Sequence, residues 1–210
     1  MKTIIQIKTL AIIIGLFTLS IPVSAQFTTP DSVCAGTQDV VYGILNPVST
    51  SDYTWYLSDP AAGAIDSSQA PNDSIIQIDW GITTGTYTLN AYETTSTGCI
   101  GDTITLDITI RALPTIAIVG DSVCSGELAT MTVTLTGQAP WTVDYTDGTN
   151  TFSTNANSSP HTFSVGPYTS SQTISITGVV DSYSCAATGT LPTANVGIVA
   201  LPSSGTIFHY

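Results

Sequence analysis

Positive charge is what this chain has least of. Its 210 residues include 3 Lys and Arg against 15 Asp and Glu, and charged residues of either sign make up only 9%. Binding of DNA or RNA rests on lysine and arginine neutralising phosphates, so no nucleic-acid partner is expected. With so few cations, networks of salt bridges cannot hold the fold either. Apolar burial, backbone pairing and cross-links must do so. Histidine is almost as scarce, with 2 in the chain, His161 and His209. His161 lies in SSPHTFSV (Ser158–Val165), which has no nucleophile elbow nearby. A hydrolytic triad needs a base oriented by a third group, and the scattered carboxylates supply no such arrangement. The sequence predicts no enzyme.

Long apolar runs are missing as well, with one exception. LAIIIGLFTLSI (Leu10–Ile21) follows a basic start at Lys2 and Lys8 and precedes the small residues VSA (Val23–Ala25). The run falls short of the ~20 residues that span a bilayer and has the form of a secretory leader. Residues 1–25 are therefore read as a signal peptide cut before Gln26, and the protein as secreted or held at the cell surface. No later segment is apolar enough for a transmembrane helix. Without the leader, Arg111 is the only cation left.

What remains is rich in alternation at period two. DTITLDITI (Asp102–Ile110) places Ile104, Leu106, Ile108 and Ile110 on one side and Thr and Asp on the other. SIIQIDW (Ser74–Trp80), TGTYTLNAYE (Thr84–Glu93), ATMTVTLTG (Ala129–Gly137) and QTISITGVV (Gln172–Val180) behave alike. Gly, Asp and Pro turns separate them. Many short strands with such punctuation predict an all-β sandwich architecture.

The chain also repeats itself. DSVCAG (Asp31–Gly36) returns as DSVCSG (Asp121–Gly126), and ALP recurs at Ala112–Pro114 and Ala200–Pro202. Two sandwich units follow, residues 26–111 and 112–201, with a tail at 202–210. Each unit holds two cysteines at nearly equal spacing, Cys34 with Cys99 and Cys124 with Cys185. Export favours oxidation. Four cysteines allow three connectivities, and the duplicated spacing favours pairing within each unit. Isolated cysteines without nearby histidines make a poor zinc set. Trp55 and Trp141 hold equivalent places between the cysteines and are expected in the cores, as in immunoglobulin-type domains. Trp80 ends a strand and is the candidate for stacking on a sugar. Calcium is the one cofactor the sequence admits. Asp144 and Asp147, in DYTDGTN, cluster oxygen donors, although an Asp-Gly pair reads first as an ordinary turn.

In order, the first unit shows Cys34 and Gly36 (CxG), Tyr53 and Trp55 (YxW), Trp80 closing a strand, and Gly98 with Cys99 (GC). This pattern resembles the PKD-like domains of Bacteroidetes cell-surface proteins. The second unit is similar to the immunoglobulin-like repeats of large gliding-motility adhesins of that phylum. The resemblance implies a non-catalytic surface adhesin or scaffold, linked to gliding motility or type IX secretion, with an outer-membrane or extracellular protein as partner. It also implies O-glycosylation at Asp-Ser/Thr-aliphatic sites, with acceptors Ser32, Ser74, Thr103 and Ser122. The tail LPSSGTIFHY offers Ile207, Phe208, His209 and Tyr210 as a docking peptide that adds a strand to a partner's sheet. The alternative from another class is an extracellular carbohydrate-binding module.

Overall fold

A computed structural model describes residues 4–7, 31–66, 72–207 and 209. The cleavage site expected after Ala25, and Phe208 and Tyr210 of the tail, lie outside the described residues. The chain divides into two compact units, Met1–Ala112 and Leu113–Tyr210. Both are all-β. Among the described residues the one helical element is a 3-10 turn at Pro60–Ala62, where the Asp59 carboxylate accepts the Ala61 N–H at 2.8 Å.

The first unit has two four-stranded sheets. One runs in the order β1 (Ile4–Ile7), β3 (Val40–Ile44), β6 (Ile75–Trp80), β5 (Gly63–Asp66). The other runs β2 (Asp31–Cys34), β8 (Ile104–Arg111), β7 (Gly85–Thr95), β4 (Ser51–Leu57). The second unit has a five-stranded sheet, β10 (Ser122–Cys124), β16 (Thr193–Val199), β15 (Gln172–Val180), β12 (Trp141–Thr146), β13 (Thr151–Ala156). Its three-stranded sheet is β14 (His161–Val165), β11 (Ala129–Leu135), β9 (Ile116–Val119).

Alternation builds both cores. In β11, Ala129, Met131, Val133 and Leu135 are buried while the intervening threonines are not. In β6, Ile76, Ile78 and Trp80 are buried. The side of β8 predicted to be apolar is buried at Ile108 and Ile110 and half-buried at Ile104 and Leu106. Each such fully buried side chain contributes about 1.5–3 kcal/mol of apolar transfer. The β1 strand is a difference from expectation. Ile4–Ile7 belongs to the predicted leader, yet it pairs antiparallel with β3. Its β-rich sequence meets an edge whose backbone groups need partners.

The repeated phrase has a shared structural reason. In each unit it forms a short strand lying parallel on the unit's last strand, Cys34 opposite Arg111 and Cys124 opposite Val199. Each opening aspartate accepts the N–H of the next serine, at 2.9 Å in Asp31–Ser32 and 2.7 Å in Asp121–Ser122. Each phrase then closes a four-residue turn. The Cys34 carbonyl accepts the Thr37 N–H and the Cys124 carbonyl accepts the Glu127 N–H, both at 3.1 Å. The third residue of each turn is glycine at positive φ, 76° at Gly36 and 88° at Gly126. That is the position of a type II turn that demands it. A Cβ at Gly126 would meet no atom within 4 Å. Gly126→Ala is therefore expected to cost about 1–2 kcal/mol, the left-handed backbone penalty alone. Urea titration should show a lower midpoint with an unchanged slope.

The cysteine pairing differs from expectation. Cys99 and Cys124 are free, exposed thiols. Neither within-unit bridge, Cys34 with Cys99 or Cys124 with Cys185, is formed. The reason is register. Cys34 sits against the last residue of β8, while Cys99 lies in the turn before β8, bonded to Thr95. Eight strand residues at ~3.3 Å each separate them, far beyond the ~7 Å between Cα atoms that a disulfide tolerates. In the second unit Cys124 lies at the far end of β16, beyond the Gln172 end of β15, while Cys185 lies in the turn after Val180.

Candidate interaction surfaces

The residues singled out for chemistry mostly serve the fold. Asp147 closes the turn after β12. Its Oδ1 accepts the N–H groups of Thr149 (2.9 Å) and Asn150 (2.7 Å), and Tyr168 donates its hydroxyl to Oδ2 at 3.4 Å. The Gln172 amide donates to the Asp147 carbonyl. Asp144 lies an odd number of residues away, and alternation places it on the other side of β12. Asp144 packs against Gly178, and Asp147 is near Tyr145 and Tyr168. The two candidate calcium ligands are thus not brought together, and among the described residues no three His, Cys, Asp or Glu side chains converge. The Asp-Gly turn is what forms.

The hydrogen bonds from Asn150 and Thr149 hold the Asp147 carboxyl below the ordinary carboxylate range. Burial pushes the Tyr145 and Tyr168 hydroxyls up, and the Asp147 charge adds to this. A carboxylate with a depressed folded-state pKa adds stability at pH values above its unfolded pKa. That stability is lost as pH falls through the folded value. Acid titration of the second unit should therefore steepen below the ordinary carboxylate range, and Asp147→Asn should flatten that limb and, by removing the charge that helps push the Tyr145 and Tyr168 hydroxyls up, soften the alkaline limb as well.

Trp80 is not a ligand platform. It is 1% exposed, packs edge-on to Tyr42 at 6.1 Å, and belongs to the first unit's core. Its place at the end of β6 points it inward with Ile76 and Ile78. Of the two tryptophans expected inside, Trp141 is buried, with its indole N–H donated to the Thr136 carbonyl at 2.9 Å. Trp55 is half-buried and donates to the Asp73 carbonyl at 2.7 Å. Tyr53, two residues before it, accepts the Val48 N–H on its hydroxyl at 2.8 Å and pins that loop.

Of the four glycosylation candidates, Thr103 and Ser122 are exposed, Ser32 is half-buried and Ser74 is buried. Ser74 precedes β6, and its carbonyl accepts the Ile44 N–H. In the folded unit the Ser74 side chain is covered. The tail from Leu201 to Ile207 is exposed and forms no strand, as is His209. Sequence reading missed Asp181, a buried carboxylate after β15. Its Oδ1 accepts the N–H groups of Tyr183 and Cys185, both at 3.0 Å, and its Oδ2 that of Gln138 at 3.4 Å. The DSYSC spacing is the signal that could have found it, since an aspartate often bonds backbone N–H groups two and more residues on.

Sheet edges are one kind of surface left open. The edge strands of the second unit are β9 (IAIV), β10 (SVC), β13 (TFSTNA) and β14 (HTFSV). None carries Asp, Glu, Lys or Arg, the residues with which sheets ordinarily blunt their edges. Val119 on β9 is 66% exposed. Phe152 on β13 is 42% exposed and stacks on Tyr145 at 5.3 Å, and Tyr145 also touches Phe163 at 4.6 Å.

No family model and no curated protein matches the chain. Solved structures do resemble it. The fibronectin(III)-like modules of CbhA from Clostridium thermocellum are 16% identical, with 86% of this chain and 95% of that one covered and a TM-score of 0.43. The D00-D0 domain of intimin is 13% identical, with 80% and 93% covered and a TM-score of 0.38. The adhesin InvE of Yersinia pseudotuberculosis is 15% identical, with 80% and 56% covered and a TM-score of 0.31. The two packed sheets of each unit by themselves make that unit a β-sandwich.

Proposed function

We propose that the protein is a non-catalytic adhesion or scaffold protein of the cell surface, exported by an N-terminal leader cut after Ala25. It works through contacts with an outer-membrane or extracellular protein. The observation that carries this reading is the second unit, whose four edge strands are free of charged side chains in a chain with 15 acidic residues. Edges of that kind take an added strand through backbone hydrogen bonds, with side-chain pockets setting the choice of partner. The PKD-like pattern of the first unit supports a place among Bacteroidetes surface proteins, in gliding motility or type IX export. The carbohydrate reading loses its main support with the burial of Trp80.

Lysines placed on two edges, Ala117→Lys on β9 and Asn155→Lys on β13, test it. Both positions are exposed. Pull-down of a surface protein by the native chain should be lost with the double substitution while the melting temperature stays put. Retained capture, or a glycan-array signal from the native chain, contradicts the reading.

A further inference from the structure

The inference concerns the edge of β3 and rests on the leader cleavage proposed above. β3 lies between two strands of identical sequence, IIQI at Ile4–Ile7 in β1 and IIQI at Ile75–Ile78 in β6. Their registers differ. β6 sets Ile76 opposite the fully buried Tyr42 and Ile78 opposite Val40. β1 sets Gln6 opposite Tyr42 and Ile4 opposite Ile44. In the second unit the matching place beside β11 is held by β9, which ends two residues before Asp121 of the repeated phrase. Its Ile116 and Ile118 lie opposite Leu135 and Val133 and pack on the core. Superposing the phrases puts Gln26 and Thr28 where the second unit has Ile116 and Ile118. The sequence next to the phrase thus offers polar residues for an apolar place, and the pairing beside β3 is made by Ile4–Ile7.

Cutting the leader removes β1. The Ile44 N–H points the other way, to the Ser74 carbonyl at 2.9 Å. By alternation the N–H and C=O groups of Val41 and Gly43 then face the vacated side. We propose that this edge accepts the tail of a second copy of this chain, residues 205–210 (GTIFHY), as an added strand. Three observations favour that occupant. Ile207 is fully exposed, at 102%, and Leu201–Ile207 forms no strand. The tail has aromatic residues at the alternate positions Phe208 and Tyr210, the period an apolar sheet face requires. Neither Val40–Ile44 nor Leu201–Tyr210 contains Asp, Glu, Lys or Arg, so no like charges face each other within the pair of strands. The contact joins two different surfaces, so it repeats head to tail and does not close.

The test is sedimentation velocity of the chain beginning at Gln26. Species larger than one copy are expected. They should disappear on deleting residues 205–210 and on adding excess synthetic peptide of residues 201–210. The chain beginning at Met1 should sediment as a single copy. Association that survives the tail deletion overturns the proposal, and so does a single copy that binds no peptide. A single copy that associates only when residues 26–29 are deleted also overturns it, because the chain's own segment would then fill the edge. N-terminal sequencing of the exported protein separates these outcomes from failure of the leader reading. A start at Met1 would sink that reading itself.

Discussion

Trp80→Ala is expected to destabilise the first unit by about 3–5 kcal/mol, the cost of emptying a large buried aromatic site. A domain of this size has about 5–15 kcal/mol in all. The indole meets Tyr42 edge-on and lies among Ile76, Ile78, Leu89, Ile108 and Ile110, all buried. The Trp80 backbone N–H is bonded to the Thr37 carbonyl at 2.9 Å, in the stretch that follows the repeated phrase. Loss of the ring therefore loosens both sheets and the turn that enters β3. Trp80→Phe keeps part of the ring contact and should cost less. Urea titration of the two variants measures the difference. Wild-type stability for Trp80→Ala would mean that the indole faces solvent, and would restore the sugar-stacking role.

Asp181→Ala is expected to cost the second unit about 3 kcal/mol. One carboxylate, 6% exposed, receives three backbone N–H groups, from Tyr183, Cys185 and Gln138. Hydrogen bonds to a charged group contribute about 1.5–3 kcal/mol each, and a buried donor left without an acceptor costs about 1–3 kcal/mol. These terms share one side chain and do not add fully. Cys185 is itself 1% exposed. The substitution should therefore also make Cys185 easier to reach from solvent. Asp181→Asn keeps one acceptor oxygen and should fall between the native chain and Asp181→Ala in thermal denaturation. Equal stability of all three would remove the carboxylate from the account of this turn.

These two residues also mark where sequence reading succeeds and where it stops. The strands were legible because burial follows a period of two, and runs such as ATMTVTL declare their inner face at Ala129, Met131, Val133 and Leu135. The repeated phrase was legible as a unit marker, and the demand for positive φ at Gly36 and Gly126 explains why its glycine returns. The cysteine partners were not legible. Equal spacing along the chain says nothing about which ends of β8 or β15 the sulfurs reach, because register fixes that. Trp80 misled for a related reason. A residue closing a strand turns inward or outward by the parity of the strand alone, and Ile76 and Ile78 carried that parity. Asp147 was legible as a turn and not as an acid with a depressed pKa, since its donors at Thr149, Asn150 and Tyr168 come from two separate stretches. The strand at Ile4–Ile7 was not legible because the basic start and the apolar run after it give these residues the form of a leader.

The claim that this protein acts through uncharged sheet edges is tested most directly by photo-crosslinking in the cells that export it. A photoreactive residue at Val119, 66% exposed on the edge strand β9, should join to a second polypeptide. The same residue at Leu128, 59% exposed in the turn before β11, should not. Adducts from Leu128 alone, or from neither site, would contradict the account.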